Sequence, residues 1–100
     1  MVIKEILQQL ETAVHPVAKA LHKGGQFKVL AIGFKKGMIL KEHQAHLPSK
    51  LFVLNGEVIY KEGEVSTTLS TYDEIVIPVQ VLHSVEAISD SLCLLTQGEV

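Results

Sequence analysis

The sequence predicts an all-β barrel or sandwich preceded by one short helix. Three observations carry this. About nine short apolar runs follow one another, separated by turn signals every 8–12 residues or so. The apolar mass is Val, Ile and Leu, with hydrophobic residues at 47% and aromatics at only 5%, a balance that suits strands. No helical stretch lies between the runs, which argues against an α/β fold.

The elements follow in order. Ile3, Ile6, Leu7, Leu10 and Val14 recur at helical spacing, with Lys4, Glu5, Gln8, Gln9 and Glu11 between them, so residues 3–13 read as an amphipathic helix. Pro16 closes it. A helix this short needs a surface to dock on. Val17–Leu21 reads as a strand and His22-Lys23-Gly24-Gly25 as a hairpin turn, because glycine accepts positive φ. Phe27–Phe34 is the next strand, turned by Lys35-Lys36-Gly37. Ile39–His43 and Lys50–Leu54 follow, joined by the loop Gln44–Ser49. Asn55-Gly56 is the strongest short hairpin signal, so Val58–Tyr60 is expected to pair back on the preceding strand. Glu62-Gly63 turns into Val65–Leu69. Ile75–Ile77, Val81–Glu86 and Leu92–Thr96 complete the set.

The chain of 100 residues reads as one domain, a helical arm over 1–15 and a barrel over 16–100. Net charge is −2 with no basic stripe, so no nucleic-acid footprint is visible. The apolar runs are far too short to span a membrane. The N-terminus lacks a signal-peptide core, and a single cysteine, Cys93, forms no internal disulfide. A reducing cytoplasm is the expected location. Cys93 lies in an apolar run with no local base, so it reads as a small buried hydrophobe. Val29–Ile32, Leu51–Leu54 and Leu92–Leu95 are apolar on both faces. Their second face must also be covered, and a homodimer is expected to help cover it.

Two histidines stand in matching frames. Gly37-Met38-Ile39-Leu40-Lys41-Glu42-His43 precedes Leu51-Phe52-Val53-Leu54 and Asn55-Gly56-Glu57; Asp73-Glu74-Ile75-Val76-Ile77-Pro78 precedes His83-Ser84-Val85. These frames resemble the two motifs of the cupins, over about residues 26–96. The resemblance implies a small jelly-roll barrel of the RmlC-like kind, frequent dimers, and a divalent metal on three histidines and a glutamate. His43 and His83 stand at two of these ligand positions. Ala45 stands where the second histidine belongs and Ser49 where the glutamate belongs. Tyr72 and Gln80 replace glycines of the second motif, and Ala87 replaces its closing asparagine.

Residues two apart on a strand share a face, so His46 has the wrong parity to join His43. A bulge in the following stretch would correct that. A His43/His46/His83 site would suit Zn, Cu or Ni better than non-haem iron, which uses a carboxylate. Three functions compete. The first is a barrel that binds a small molecule, with His43, His83, Val53, Tyr60, Val81 and Val85 lining the pocket. The second is an oxygenase or isomerase of a small organic acid or sugar, with a divalent metal (Zn, Ni, Cu or Fe) held by His43 and His83. The third is a dimeric interaction module with a vestigial pocket. Without metal, the two histidines would bind water or an anionic ligand; with it, a carboxylate would suit them. Tyr60 would face the barrel interior or an interface. Glu42 and Glu86 should point away from the histidines.

Overall fold

The structure, a computed structural model, describes residues 1–98. One helix, α1 (Val2–Leu10), precedes nine strands: β1 (Val17–Lys23), β2 (Phe27–Phe34), β3 (Ile39–His43), β4 (Ser49–Asn55), β5 (Glu57–Glu62), β6 (Val65–Ser70), β7 (Glu74–Ile77), β8 (His83–Ala87) and β9 (Ser91–Gly98). They form a five-stranded sheet, β1-β2-β9-β4-β7, facing a four-stranded sheet, β3-β8-β5-β6. All pairings are antiparallel. The strand pattern predicts an all-β barrel or sandwich, and these two antiparallel sheets are the jelly roll that the family resemblance implies.

Alternation along the strands sets the core. Ile32, Phe34, Leu51, Val53, Val58, Tyr60, Leu69, Ile77, Val85, Ala87, Cys93 and Leu95 pack together between the sheets. β4, β8 and β9 each alternate fully buried with half-buried residues, so both of their faces are at least partly covered. Cys93 lies in the middle of this core with no exposure, and burial pushes its thiol up to about 12. It holds no thiolate at neutral pH and acts as a hydrophobe.

The outer face of the larger sheet receives α1. Ile6 and Leu10 pack on Ala31, flanked by Val2, Ile3, Ala13, Val17 and Leu94. Fully burying each such side chain contributes roughly 1.5–3 kcal/mol, which a nine-residue helix needs because it does not persist alone. Gly33 makes room: a Cβ there would run into Ile6 and Leu10. The helix ends at Leu10, and the chain turns through Glu11 and Thr12, several residues before Pro16. Pro16 is therefore not what stops it.

One expectation is overturned. Asn55-Gly56 does not form a hairpin. β4 pairs with β7 and β9, whereas β5 pairs with β6 and β8. The dipeptide carries the chain from one sheet to the other. Gly56 takes a φ of 101°, which suits glycine, and its N–H donates to Thr71 Oγ1 at 3.1 Å. The hairpins at Gly24-Gly25 and Glu62-Gly63 do form, joining β1 to β2 and β5 to β6.

Tyr72 and Gln80 have φ values of 74° and 61°. The backbone thus keeps a left-handed geometry where the cupin motif has glycine, at a cost of about 1–2 kcal/mol per residue. Gln80 is held there partly by its N–H, which donates to the Ala45 carbonyl at 2.8 Å. That bond ties the loop after β7 to the loop after β3.

Candidate functional site: a histidine pair at the barrel rim

His43 ends β3 and His83 begins β8, and the two are direct cross-strand partners. Their ring centroids lie 4.2 Å apart at an interplanar angle of 58°. A bulge brings this about. The register shifts between Leu40 and His43, where three residues on β3 match two on β8. The extra residue lets Leu40 pack against the core and still turns His43 to the same side.

The bulge that sequence reasoning allowed after His43 therefore lies before it. Downstream the chain leaves β3 for the loop before β4. Ala45 is 4% exposed and takes the inward position, while His46 is exposed. The structure does not bring His46 to the pair. Among the described residues no group of three or more His, Cys, Asp or Glu side chains is placed to hold a metal ion. Ser49, where a glutamate ligand would stand, donates its hydroxyl to the Leu47 carbonyl at 2.9 Å and accepts from Gln97 Nε2 at 3.2 Å. The donor set is two imidazoles, short of the three or four protein ligands of a firm metal site. The residues present do not fit the metal that the motif implies.

Both imidazoles are oriented in the same way. His43 Nδ1 lies 2.9 Å from the Lys41 carbonyl, and His83 Nδ1 lies 3.1 Å from the Val81 carbonyl. A carbonyl only accepts, so in each neutral ring the proton sits on Nδ1 and the Nε2 lone pair is available. His83 is 2% exposed, yet no described buried side-chain nitrogen or oxygen lacks both a hydrogen-bond partner and solvent contact. Its Nε2 has no protein partner and is therefore the atom that still meets open space. Burial holds the His83 pKa below its ordinary value, and the neighbouring His43 pushes the same way; the Val81 carbonyl and Glu62 oppose them.

Two further side chains complete the row. The Tyr60 ring stacks on His83, with centroids 5.7 Å apart at 28°. Its hydroxyl donates to Glu62 Oε1 at 2.7 Å. Desolvation, with Glu62 close by, raises the Tyr60 pKa far above its ordinary value, so the phenol remains a donor. Glu62 is the cross-strand partner of His83 on its other side. His43, His83 and Glu62 thus form one row across β3, β8 and β5, with Tyr60 behind.

Sequence reasoning missed Glu62 by assigning it to the turn with Gly63. The available signal was its spacing of two from Tyr60, which puts both on one strand face. Of the residues expected to line a pocket, Val53, Tyr60 and Val85 are at most 2% exposed and fill the core. Val81 is half-buried in the loop before β8. Glu42 is exposed, as its parity predicts. A surface groove of about 400 Å³, lined by Phe27, Val29, Pro48, Val76 and Thr96, includes neither histidine.

No family model matches the chain, and no curated protein matches it. Solved structures do. A cupin superfamily protein from Desulfitobacterium hafniense superposes with a TM-score of 0.81 at 15% identity, over 87% of this chain and 80% of that one. An RmlC-like cupin from Shewanella frigidimarina gives 0.80 at 18% identity, over 89% and 80%. An RmlC-like cupin protein from Desulfovibrio desulfuricans gives 0.78 at 25% identity, over 84% and 82%. The protein has the fold of a small cupin domain, a two-sheet RmlC-like barrel. Among the described residues no helix is long and apolar enough to cross a membrane.

Proposed function

We propose that the protein binds a small molecule at the barrel rim, with His43 and His83 making the polar contacts. The observation that carries this reading is the Nε2 atom of His83, unpartnered on a side chain otherwise shut off from solvent. The Nε2 lone pair reaches open space beside a second oriented imidazole, which suits it to accept a hydrogen bond from a ligand. The test is a small-metabolite screen read by backbone amide shifts. The reading expects shifts centred on Leu40–His43 and His83–Val85. Shifts confined to the groove beside Phe27 and Val76 would contradict it.

A metal-dependent enzyme, an oxygenase or isomerase of a small organic acid or sugar, is the second reading. One observation favours it: an imidazole whose Nδ1 donates to a carbonyl is oriented as metal-bound histidines are. The two-nitrogen donor set speaks against it. Untagged protein is expected to carry well under one metal ion per chain by elemental analysis. A stoichiometric metal that disappears in His83→Ala would reverse the order of the two readings.

The chain is also proposed to form a homodimer through the outer face of its larger sheet. α1 covers only part of that face. Phe27 and Val76 remain 45% and 66% exposed, beside Val29 and Pro48. Light scattering at micromolar concentration should give twice the 11.0 kDa chain mass. Val76→Lys, which replaces an exposed apolar side chain of that face with a charge, should return it to the monomer value. A wild-type mass of one chain would contradict the dimer.

A further inference from the structure

The groups on the rim row are all acceptors. In their neutral form His43 and His83 each donate from Nδ1 to the backbone, to Lys41 and Val81. What they turn toward a ligand is a lone pair on Nε2. Glu62, the next residue across the row, offers a carboxylate with about four lone-pair sites, one of which receives the Tyr60 hydroxyl. That hydroxyl is the row's only side-chain donor besides the two Nδ1 groups, and all three are already committed. Among the described residues Glu62 takes part in no ion pair. Its strand neighbour Lys61 is exposed and alternates away from the inward-facing Tyr60 and Glu62, while Lys41, in the bulge of β3, is exposed and offers its carbonyl to His43. The core beneath the row is packed, with Tyr60 and Val85 each 2% exposed.

From this arrangement we infer that the rim row of His43, His83 and Glu62 recognises an organic ammonium group. The inference rests on the small-molecule reading of the same site and names its ligand class. An ammonium has three donors and no acceptor, which matches two imidazole lone pairs and one carboxylate. Its charge complements Glu62, and charge-assisted bonds of this kind are the strong ones. A carboxylate ligand would meet three acceptors and a like charge. The anion that the histidine frames suggest from sequence is therefore the disfavoured ligand.

Titrating the full-length protein at pH 8 with ethanolamine hydrochloride, sodium acetate and glycerol at matched ionic strength tests this. The readout is the imidazole nitrogen spectrum together with backbone amide shifts. Ethanolamine is expected to move the Nε2 resonances of both rings and the Glu62 amide, and acetate is expected to leave them in place. Glu62→Gln keeps an oxygen acceptor for Tyr60 and should weaken ethanolamine on the order of tenfold, the loss of one charge-assisted bond. Acetate or glycerol acting as strongly as ethanolamine would overturn the inference, as would an unchanged affinity in Glu62→Gln. If none of the three probes moves the row, the ammonium assignment also falls. The small-molecule reading would then survive only if a compound of another class still shifted His43 and His83.

Discussion

Replacing Tyr60 with alanine is expected to destabilise the fold by about 3–5 kcal/mol, the usual cost of deleting a fully packed aromatic side chain. Tyr60 is among the largest side chains of the core, at 2% exposure, and its ring backs His83. A loss of that size is a large share of the 5–15 kcal/mol that typically holds a domain together. Tyr60→Phe keeps the ring and removes only the hydroxyl that donates to Glu62, so it should cost about 1 kcal/mol. Urea denaturation of both variants measures the contrast. Equal losses would mean that the ring does not fill the core as described. In the phenylalanine variant Glu62 loses its donor while the histidine pair keeps its backing.

The second large effect is expected at Gly56. Its φ of 101° lies where a side chain is strained. A Cβ there would also collide with the Ser91 hydroxyl and with the backbone of Asp90 and Ser91. Those atoms cannot easily yield. The Ser91 hydroxyl donates to the Ser89 carbonyl at 2.7 Å and accepts from the Glu57 N–H at 3.1 Å. Strain and overpacking together should make Gly56→Ala cost on the order of 3 kcal/mol. Gly63 is the control. It too has positive φ, 56°, but nothing lies within 4 Å of its Cβ position, so Gly63→Ala should cost about 1–2 kcal/mol. If the two substitutions cost the same, the crossing between sheets is not as tightly packed as the structure has it.

Gly56 also shows what local sequence conveys. Asn-Gly correctly marks a sharp change of direction. It does not say which strand the chain meets next, because that depends on β7 and β9, far away in sequence. The strands themselves were legible from turn residues and apolar runs, and so was the docking of the helix. The site was legible in part. The frames of His43 and His83 do mark two residues that the fold places side by side, and Ala45 and Ser49 stand where the resemblance would put the other two ligands. The inward aim of His43 depends on a bulge that no residue type announces. The place of Glu62 depends on the register of β5 against β8, which alternation along one strand does not reveal.

Recognition at the rim depends most on the state of the imidazole pair, and nitrogen-15 spectroscopy of the histidine side chains across a pH titration measures it directly. The prediction is that the neutral rings of His43 and His83 both carry their proton on Nδ1, with pyridine-type Nε2. His83 should become charged only below its ordinary 6.5. Because the unfolded chain takes up that proton first, this contribution to stability is complete above 6.5 and is lost as pH falls from there toward the lowered native value. Either an Nε2–H tautomer at His83 or a charged His83 ring at neutral pH would contradict the account, since the rim would then face its ligand with donors instead of lone pairs.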